Sequence, residues 1–491
     1  MLVDSLNWNG LLGLFYAVFV IALCIRVLME TRTSSKAVAY ILLIILLPAL
    51  GIIIYLFVGR NVKKKHLYSK KLSIDFRQTS NLKQLFEDYR TEKAAEFKAE
   101  YEQFAGNAQM LFSDNKSILT QHNAVTIHIN GEEKFPQLLQ DIRQAKEHIH
   151  LEYYIYENDG IGNELAELLI QKAKEGVKVR FIYDDFGSRK IAGNIAKRLR
   201  ENGVETYPFY EVIFSALADR LNYRNHRKLV IIDGHTAYLG GINVSDRYIN
   251  SEGENKMFWR DTHLRICGTA VWNIQHLFLC DWNFASNQNL SYSRAFFKDF
   301  EFLKSMHQEK TWVQIASGGP DSEIPSILFA YLEAIESAQS HIDITTPYFI
   351  PSISLLQALH MAVLRGVRVR LLVPGISDSY IANLASFSYY DEIIEMGVEL
   401  YFYQKGFIHA KSICIDDMFS MVGSANLDIR SFEFNFEVNA LIYDRKTAQR
   451  LREIFEEDLK EARLIRHAEW EKRSFMRRLM ERTVRIISPL L

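Results

Sequence analysis

NHRKLVIID at residues 225–233 is repeated as IHAKSICID at residues 408–416. In both copies a Lys stands two positions after the His and an Asp seven positions after it. Gly240 and Gly423 follow at fourteen positions, Asn243 and Asn426 at seventeen. Five matched identities at this spacing have roughly a one in ten thousand expectation of chance recurrence along such a chain. The wider repeat supports them. AKEHIHLE (145–152) resembles AQSHIDIT (338–345), and KEGVKVRFI (174–182) resembles LRGVRVRLL (364–372). A strand, a helix, a Gly-Val turn and a second strand have therefore been duplicated.

The pattern between these landmarks alternates. Val125–Ile129 has the period-two apolar positions of a strand, Phe135–Ala145 is helical, and His148–Tyr156 is strand-like. Leu165–Lys174 is helical and Val177–Tyr183 is a strand. Such alternation predicts an α/β fold with a largely parallel or mixed sheet. The expected architecture is two similar α/β domains, residues 121–300 and 301–465, packed with pseudo-twofold symmetry. A basic amphipathic tail, 466–491, follows them. The charged, helix-prone stretch KQLFEDYRTEKAAEFKAEYEQF (83–104) marks 61–120 as a solvated linker or interfacial helix.

Two apolar runs precede the linker. Leu11 to Ile25 carries no charge, and Ala37 to Val58 is uncharged for 22 residues. At about 1.5 Å per residue the second spans a hydrocarbon core of about 30 Å; the first does so if Arg26 snorkels to the interface. Residues 1–60 are therefore expected to form a transmembrane helical hairpin. Basic residues cluster in the connecting loop (Arg32, Lys36) and after the second run (Arg60, Lys63, Lys64, Lys65), with none before the first. By the positive-inside rule both chain ends, and everything after residue 60, are expected to face the cytoplasm.

Composition narrows the function. There are 58 basic and 59 acidic residues, so no basic excess argues for nucleic acid as partner. The four cysteines, 24, 267, 280 and 414, form no CxxC pair and no zinc spacing. The doubled His-x-Lys motif carries the chemistry. Residues two apart on a strand share a face, so His226 lies beside Lys228 and His409 beside Lys411. Two facing halves bring two His, two Lys and two Asn into one cleft, which suits a phosphodiester. One neutral imidazole attacks phosphorus and the other, protonated, serves the leaving alkoxide. Lys and Asn steady the non-bridging oxygens. Asp261 and Glu437 are candidates for holding the Nδ1–H of each ring. Asp233 and Asp416, beyond an apolar strand, are expected at its far end.

These motifs resemble those of the phospholipase D superfamily, and within it the bacterial cardiolipin synthases. NHRKLVIIDG, GGINVSDRY and WRDTHLRICG carry the resemblance in the first half. TPYFIP, GFIHAKSICIDD, VGSANLDIRSFEFNFEVN and the terminal SPLL carry it in the second, and LLPALGIIIYLFVGR near the N-terminus. The resemblance implies transfer of a phosphatidyl group between two phosphatidylglycerol molecules in the bilayer, with no metal or organic cofactor. It implies catalytic roles for His226, Lys228, Asp233, His409, Lys411 and Asp416, and phosphate binding by Asn243 and Asn426. It also implies that the first copy supplies the nucleophile. Other phosphatidyl transfer or hydrolysis, a tethered nuclease and a non-catalytic membrane protein are the competing readings.

Overall fold

The duplicated unit forms one continuous sheet whose two halves repeat the same strand order. The computed structural model describes residues 8–30, 34–48, 51–52, 55, 71, 93–210, 223–250, 257–290, 293–306, 309–322 and 324–488. First-half strands are β1 (Thr120–Ile129), β2 (His148–Tyr153), β3 (Lys178–Tyr183), β4 (Glu205–Pro208), β5 (Arg224–Asn225), β6 (Lys228–Ile232), β7 (Thr236–Gly240), β8 (Phe258–Arg260) and β9 (Thr262–Gly268). Second-half strands are β10 (Thr311–Gly318), β11 (His341–Thr345), β12 (Phe349–Ile350), β13 (Arg368–Pro374), β14 (Glu399–Tyr403), β15 (Gly406–Ile408), β16 (Ser412–Ile415), β17 (Phe419–Gly423), β18 (Leu427–Asp428), β19 (Asn435–Tyr443) and β20 (Ala462–Leu464).

The order is β20-β14-β13-β11-β16-β17-β19-β10-β1-β9-β7-β6-β2-β3-β4. Outward from the central β10–β1 contact, the pairs β19/β9, β17/β7, β16/β6, β11/β2, β13/β3 and β14/β4 occupy equivalent places. Pairing sense is matched as well: β2–β3 and β11–β13 are parallel, whereas β2–β6 and β11–β16 are antiparallel. Helices Asn130–Gln144 and Gly160–Lys174 pack beside the first half, and Ser326–Ser337 and Ile353–Leu364 are their counterparts. Strands buried on both faces read as apolar runs, which is why LVII in β6 is continuous rather than alternating.

Two short strands cross between the halves. β5 pairs in parallel with β19, and β8 pairs in parallel with β15. Each strand that leads into a motif His is thus held by the opposite half. This interlocking lies beyond sequence periodicity, because two- and three-residue strands leave no periodic signal.

Residues 93–115, expected to be linker, belong instead to the second half. Phe97, Tyr101, Phe104 and Leu111 are buried in one cluster with Trp312, Phe419 and Tyr443. Their near-helical spacing among charged residues makes one buried stripe, and the surrounding charges describe only the solvent face. The rest of the expected linker lies largely outside the described residues. At the N-terminus, helix Trp8–Glu30 has 23 residues and an apolar stretch, Gly13–Glu30, long enough to cross a membrane. The helix Ser34–Leu46, of 13 residues, packs against it but is too short by itself. Much of the second apolar run beyond it falls outside the described residues.

Candidate active site

Each motif histidine is fixed through its backbone by the other half of the chain. His226 N–H donates to the Phe436 carbonyl at 2.9 Å, and His409 N–H to the Arg260 carbonyl at 2.7 Å. The rings repeat the exchange. His226 Nδ1 lies 2.8 Å from Glu437 Oε1, and His409 Nδ1 lies 2.7 Å from Asp261 Oδ2. A carboxylate that takes the Nδ1–H leaves the Nε2 lone pair available. Each half therefore supplies the histidine of one pair and the carboxylate of the other.

The lysines share this centre. Lys228 Nζ donates to the His226 carbonyl at 2.6 Å, and Lys411 Nζ donates likewise to the His409 carbonyl. Burial pushes Lys228 down to about 7, with Glu437 opposing the shift, and pushes Lys411 down to about 8, with Asp261 opposing it. The imidazoles respond to the same burial. His226 falls to about 4 against the pull of Glu437, and His409 to about 3, helped by Lys411 and opposed by Asp261. Each ring also feels the lysine of the opposite half. Burial raises the Asp261 carboxyl, but the charges of His409 and Lys411 outweigh it and hold that group below its ordinary value. An arriving phosphodiester adds negative charge and raises the proton affinity of both rings.

The two pairs are not identical. Ser424 Oγ donates to Glu437 Oε2 at 2.5 Å, and Asn435 Nδ2 to Glu437 Oε1 at 3.2 Å. At the equivalent place, Gly241 leaves room for the shorter acid: a Cβ there would run into the Asp261 carboxylate. Asp261 takes the Thr262 N–H at 2.7 Å instead. The Gly/Ser difference between the copies thus follows the Asp/Glu difference. Sequence reasoning missed the aromatic walls. Tyr154 meets His226 edge-on at 4.7 Å between ring centres, and Trp259 and Phe407 stand 5.5 and 5.6 Å from His409. The adjacency of Trp259 to Asp261 in WRD was the available signal.

Asn243 and Asn426 border the centre. Asn243 accepts from Ile155 N–H at 3.2 Å and donates to Tyr248 Oη at 2.7 Å. Asn426 donates to Asp428 at 3.0 Å, and its buried Oδ1 has no partner among the described residues. Arg227 turns to the opposite side, where it pairs with buried Asp281 and reaches the Glu437 carbonyl.

The aspartates of the motif are elsewhere. Asp233 accepts the backbone N–H groups of Lys146, Glu147 and His148 at 2.8–2.9 Å. Asp416 does the same for Gln339, Ser340 and His341 at 2.8–3.0 Å. Each sits past the end of its strand, and the five residues of β6 alone span about 16 Å. The catalytic role implied for them by resemblance is corrected accordingly: an extended strand carries them out of reach of the histidines. Asp233→Ala is expected to cost about 1–3 kcal/mol of stability, by leaving buried amides unpaired. Thermal denaturation measures this, and turnover per folded molecule is expected to persist. By contrast, Glu437→Gln and Asp261→Asn are expected to lower kcat by about 10²–10⁴. KM should stay nearly constant in a steady-state assay.

Among the described residues, His341, Cys414 and Asp417 are close enough to ligate a metal, but Arg452 already pairs with Asp417 at 2.7 Å. They lie beside Asp416, away from the histidines.

Comparison with known proteins accords with this geometry. A family model described as cardiolipin synthase, PLD-like domain, matches residues 138–282 and 331–459, and one described as phospholipase D-nuclease N-terminal matches 17–60. The chain is 42% identical to the major cardiolipin synthase of Bacillus subtilis (strain 168), covering 98% of this chain and 99% of that one. It is 39% identical to a cardiolipin synthase of Oceanobacillus iheyensis, with 98% and 99% covered. The phosphatidylserine synthase of Haemophilus influenzae Rd KW20 shares the fold, with TM-score 0.59 and 14% identity over 76% of this chain and 97% of that one. With both sequence halves matched and relatives aligned nearly end to end, this chain belongs to the cardiolipin synthase family of phospholipase D-like proteins.

Proposed function

We propose that this protein is a cardiolipin synthase that transfers a phosphatidyl group from one phosphatidylglycerol to another, releasing glycerol. The observation that carries the reading is the reciprocal pairing of His226 with Glu437 and His409 with Asp261 around two lysines. His226 Nε2 attacks phosphorus, forming a P–N bond as the P–O bond to glycerol breaks. His409 gives its proton to the departing glycerol oxygen. The same imidazole then removes a proton from a hydroxyl of the second phosphatidylglycerol, whose oxygen displaces His226. Lys228, Lys411, Asn243 and Asn426 meet the non-bridging oxygens. The order of the histidines rests on resemblance to the superfamily.

The chain is further proposed to cross the membrane twice, with the two α/β halves on the cytoplasmic side. The apolar helix Gly13–Glu30 and the basic segment after residue 60 support this. A cysteine introduced near Lys64 should be protected from an impermeant reagent in intact cells. Lipid analysis of purified protein with phosphatidylglycerol tests the reaction. Cardiolipin and glycerol in equal amounts are expected; phosphatidic acid as main product would make the enzyme a hydrolase.

A further inference from the structure

Large exposed apolar side chains stand on the segments that follow β3, β12 and β13, in loops and on the first turns of the helices Ile353–Leu364 and Tyr380–Glu395. In the first half, Phe186 follows β3. In the second, Ile376, Tyr380 and Ile381 follow β13, and Ile353 follows β12. Tyr380 is 71% exposed and Ile353 75% exposed, far more than a side chain packed into its own fold. The segments after β3 and β13 are equivalent in the duplication, so the two halves place apolar residues at matching positions.

Both segments border the catalytic centre. Asp184, just past β3, accepts the Asn225 N–H at 3.0 Å, next to His226, and its charge acts on Lys228. Asp378, in the second segment, accepts from Tyr348 Oη at 2.5 Å, and its charge acts on Lys411. Tyr348 in turn stands 6.2 Å from Phe407, whose ring lies tilted beside His409. The acids of these loops thus turn inward while the apolar side chains turn outward. Arg189 and Lys190 are also exposed beyond Phe186.

We propose that Phe186, Ile353, Ile376, Tyr380 and Ile381 form a rim that seats in the membrane interface and delivers diacyl phospholipids to the histidines. This rests on the lipid-transfer reading above. The motif histidines are nearly buried, with side chains 12% and 10% exposed. A phospholipid can bring its phosphate there only if its acyl chains remain in an apolar medium at the mouth. Water offers none, whereas a mouth pressed into the bilayer keeps the acyl chains out of water. A tyrosine among aliphatic side chains suits the headgroup level, and Arg189 and Lys190 complement an anionic surface.

The test uses the full chain in nanodiscs containing phosphatidylglycerol. In a Cys24→Ser background, Tyr380→Cys carries an environment-sensitive dye, and Lys197→Cys, on a helix flanking the first half, carries the control. Brominated acyl chains are expected to quench the dye at 380 and not at 197. Ile376→Ser/Tyr380→Ser/Ile381→Ser is expected to lower cardiolipin formation on bilayers at least about tenfold, seen mainly in the dependence on lipid surface concentration. Hydrolysis of a soluble phosphodiester such as bis(p-nitrophenyl) phosphate should stay within about twofold. An unquenched dye at 380, or equal loss on both substrates, overturns the rim. Shielding of the dye only at high protein concentration assigns the surface to a second copy and also overturns it. Absence of cardiolipin from the parent protein, with quenching intact, overturns the reaction while leaving the rim standing.

Discussion

Replacing either His226 or His409 by Asn is expected to lower cardiolipin formation at least about a thousandfold. Asn keeps a donor for Glu437 or Asp261, so the loss reports on the imidazole rather than on an abandoned buried carboxylate. The two variants should nevertheless differ. A phosphodiester with a p-nitrophenolate leaving group needs no proton from an acid. His409→Asn should therefore still release nitrophenolate in a burst and trap the phosphoryl group on the peptide containing His226. His226→Asn should give neither burst nor label. Label on the peptide containing His409 in the wild-type protein would reverse the order of the two histidines. Absence of label on both, with inversion at a chiral phosphorus, would replace the covalent route by direct displacement.

Replacing Lys228 or Lys411 by Met is expected to cost about 10²–10³ in kcat/KM, the loss seen when a preorganised charge is removed from a developing anion. The pH profile sharpens the expectation. With Lys228 near 7 and Lys411 near 8 in the free protein, each ammonium is present below its value and is lost as pH rises through it. The kcat/KM profile should therefore bend downward on the alkaline side, across about pH 7–8. Binding of an anionic substrate raises both values, so the bend in kcat should lie at higher pH. In Lys228→Met the component near 7 should disappear. A flat kcat/KM profile from pH 6 to 9 in the unaltered protein would show that neither ammonium is lost in that range.

Legibility of the site in the sequence followed the range of the interactions involved. The His-x-Lys pairs and Gly240, Gly423, Asn243 and Asn426 are read from spacing, because the duplication prints each of them twice. Asp261 and Glu437 stand at unequal distances from their motifs, so spacing offers them as candidates without saying which histidine each serves. The reading of 61–120 as linker erred at 93–115 because charge density hid a narrow apolar stripe. Arg227 shows the converse: period two sets it on the face opposite His226, where Asp281 holds it.

The sequence by itself determined the duplicated α/β units, the apolar N-terminal helix and the residue types that meet a phosphodiester. Local periodicity and repetition are properties of neighbouring residues, so they survive in one dimension. Only the tertiary structure decided the crossed pairing, with Glu437 on His226 and Asp261 on His409. The far-end position of the motif aspartates was legible from the strand that precedes them; the structure added which backbone amides they accept from. The physical reason for the crossed pairing is that β5 and β8 reach across to β19 and β15, so each half completes the other's site. Contacts between residues 148 and 211 positions apart are set by how the two halves of one sheet come together, and no local pattern encodes them.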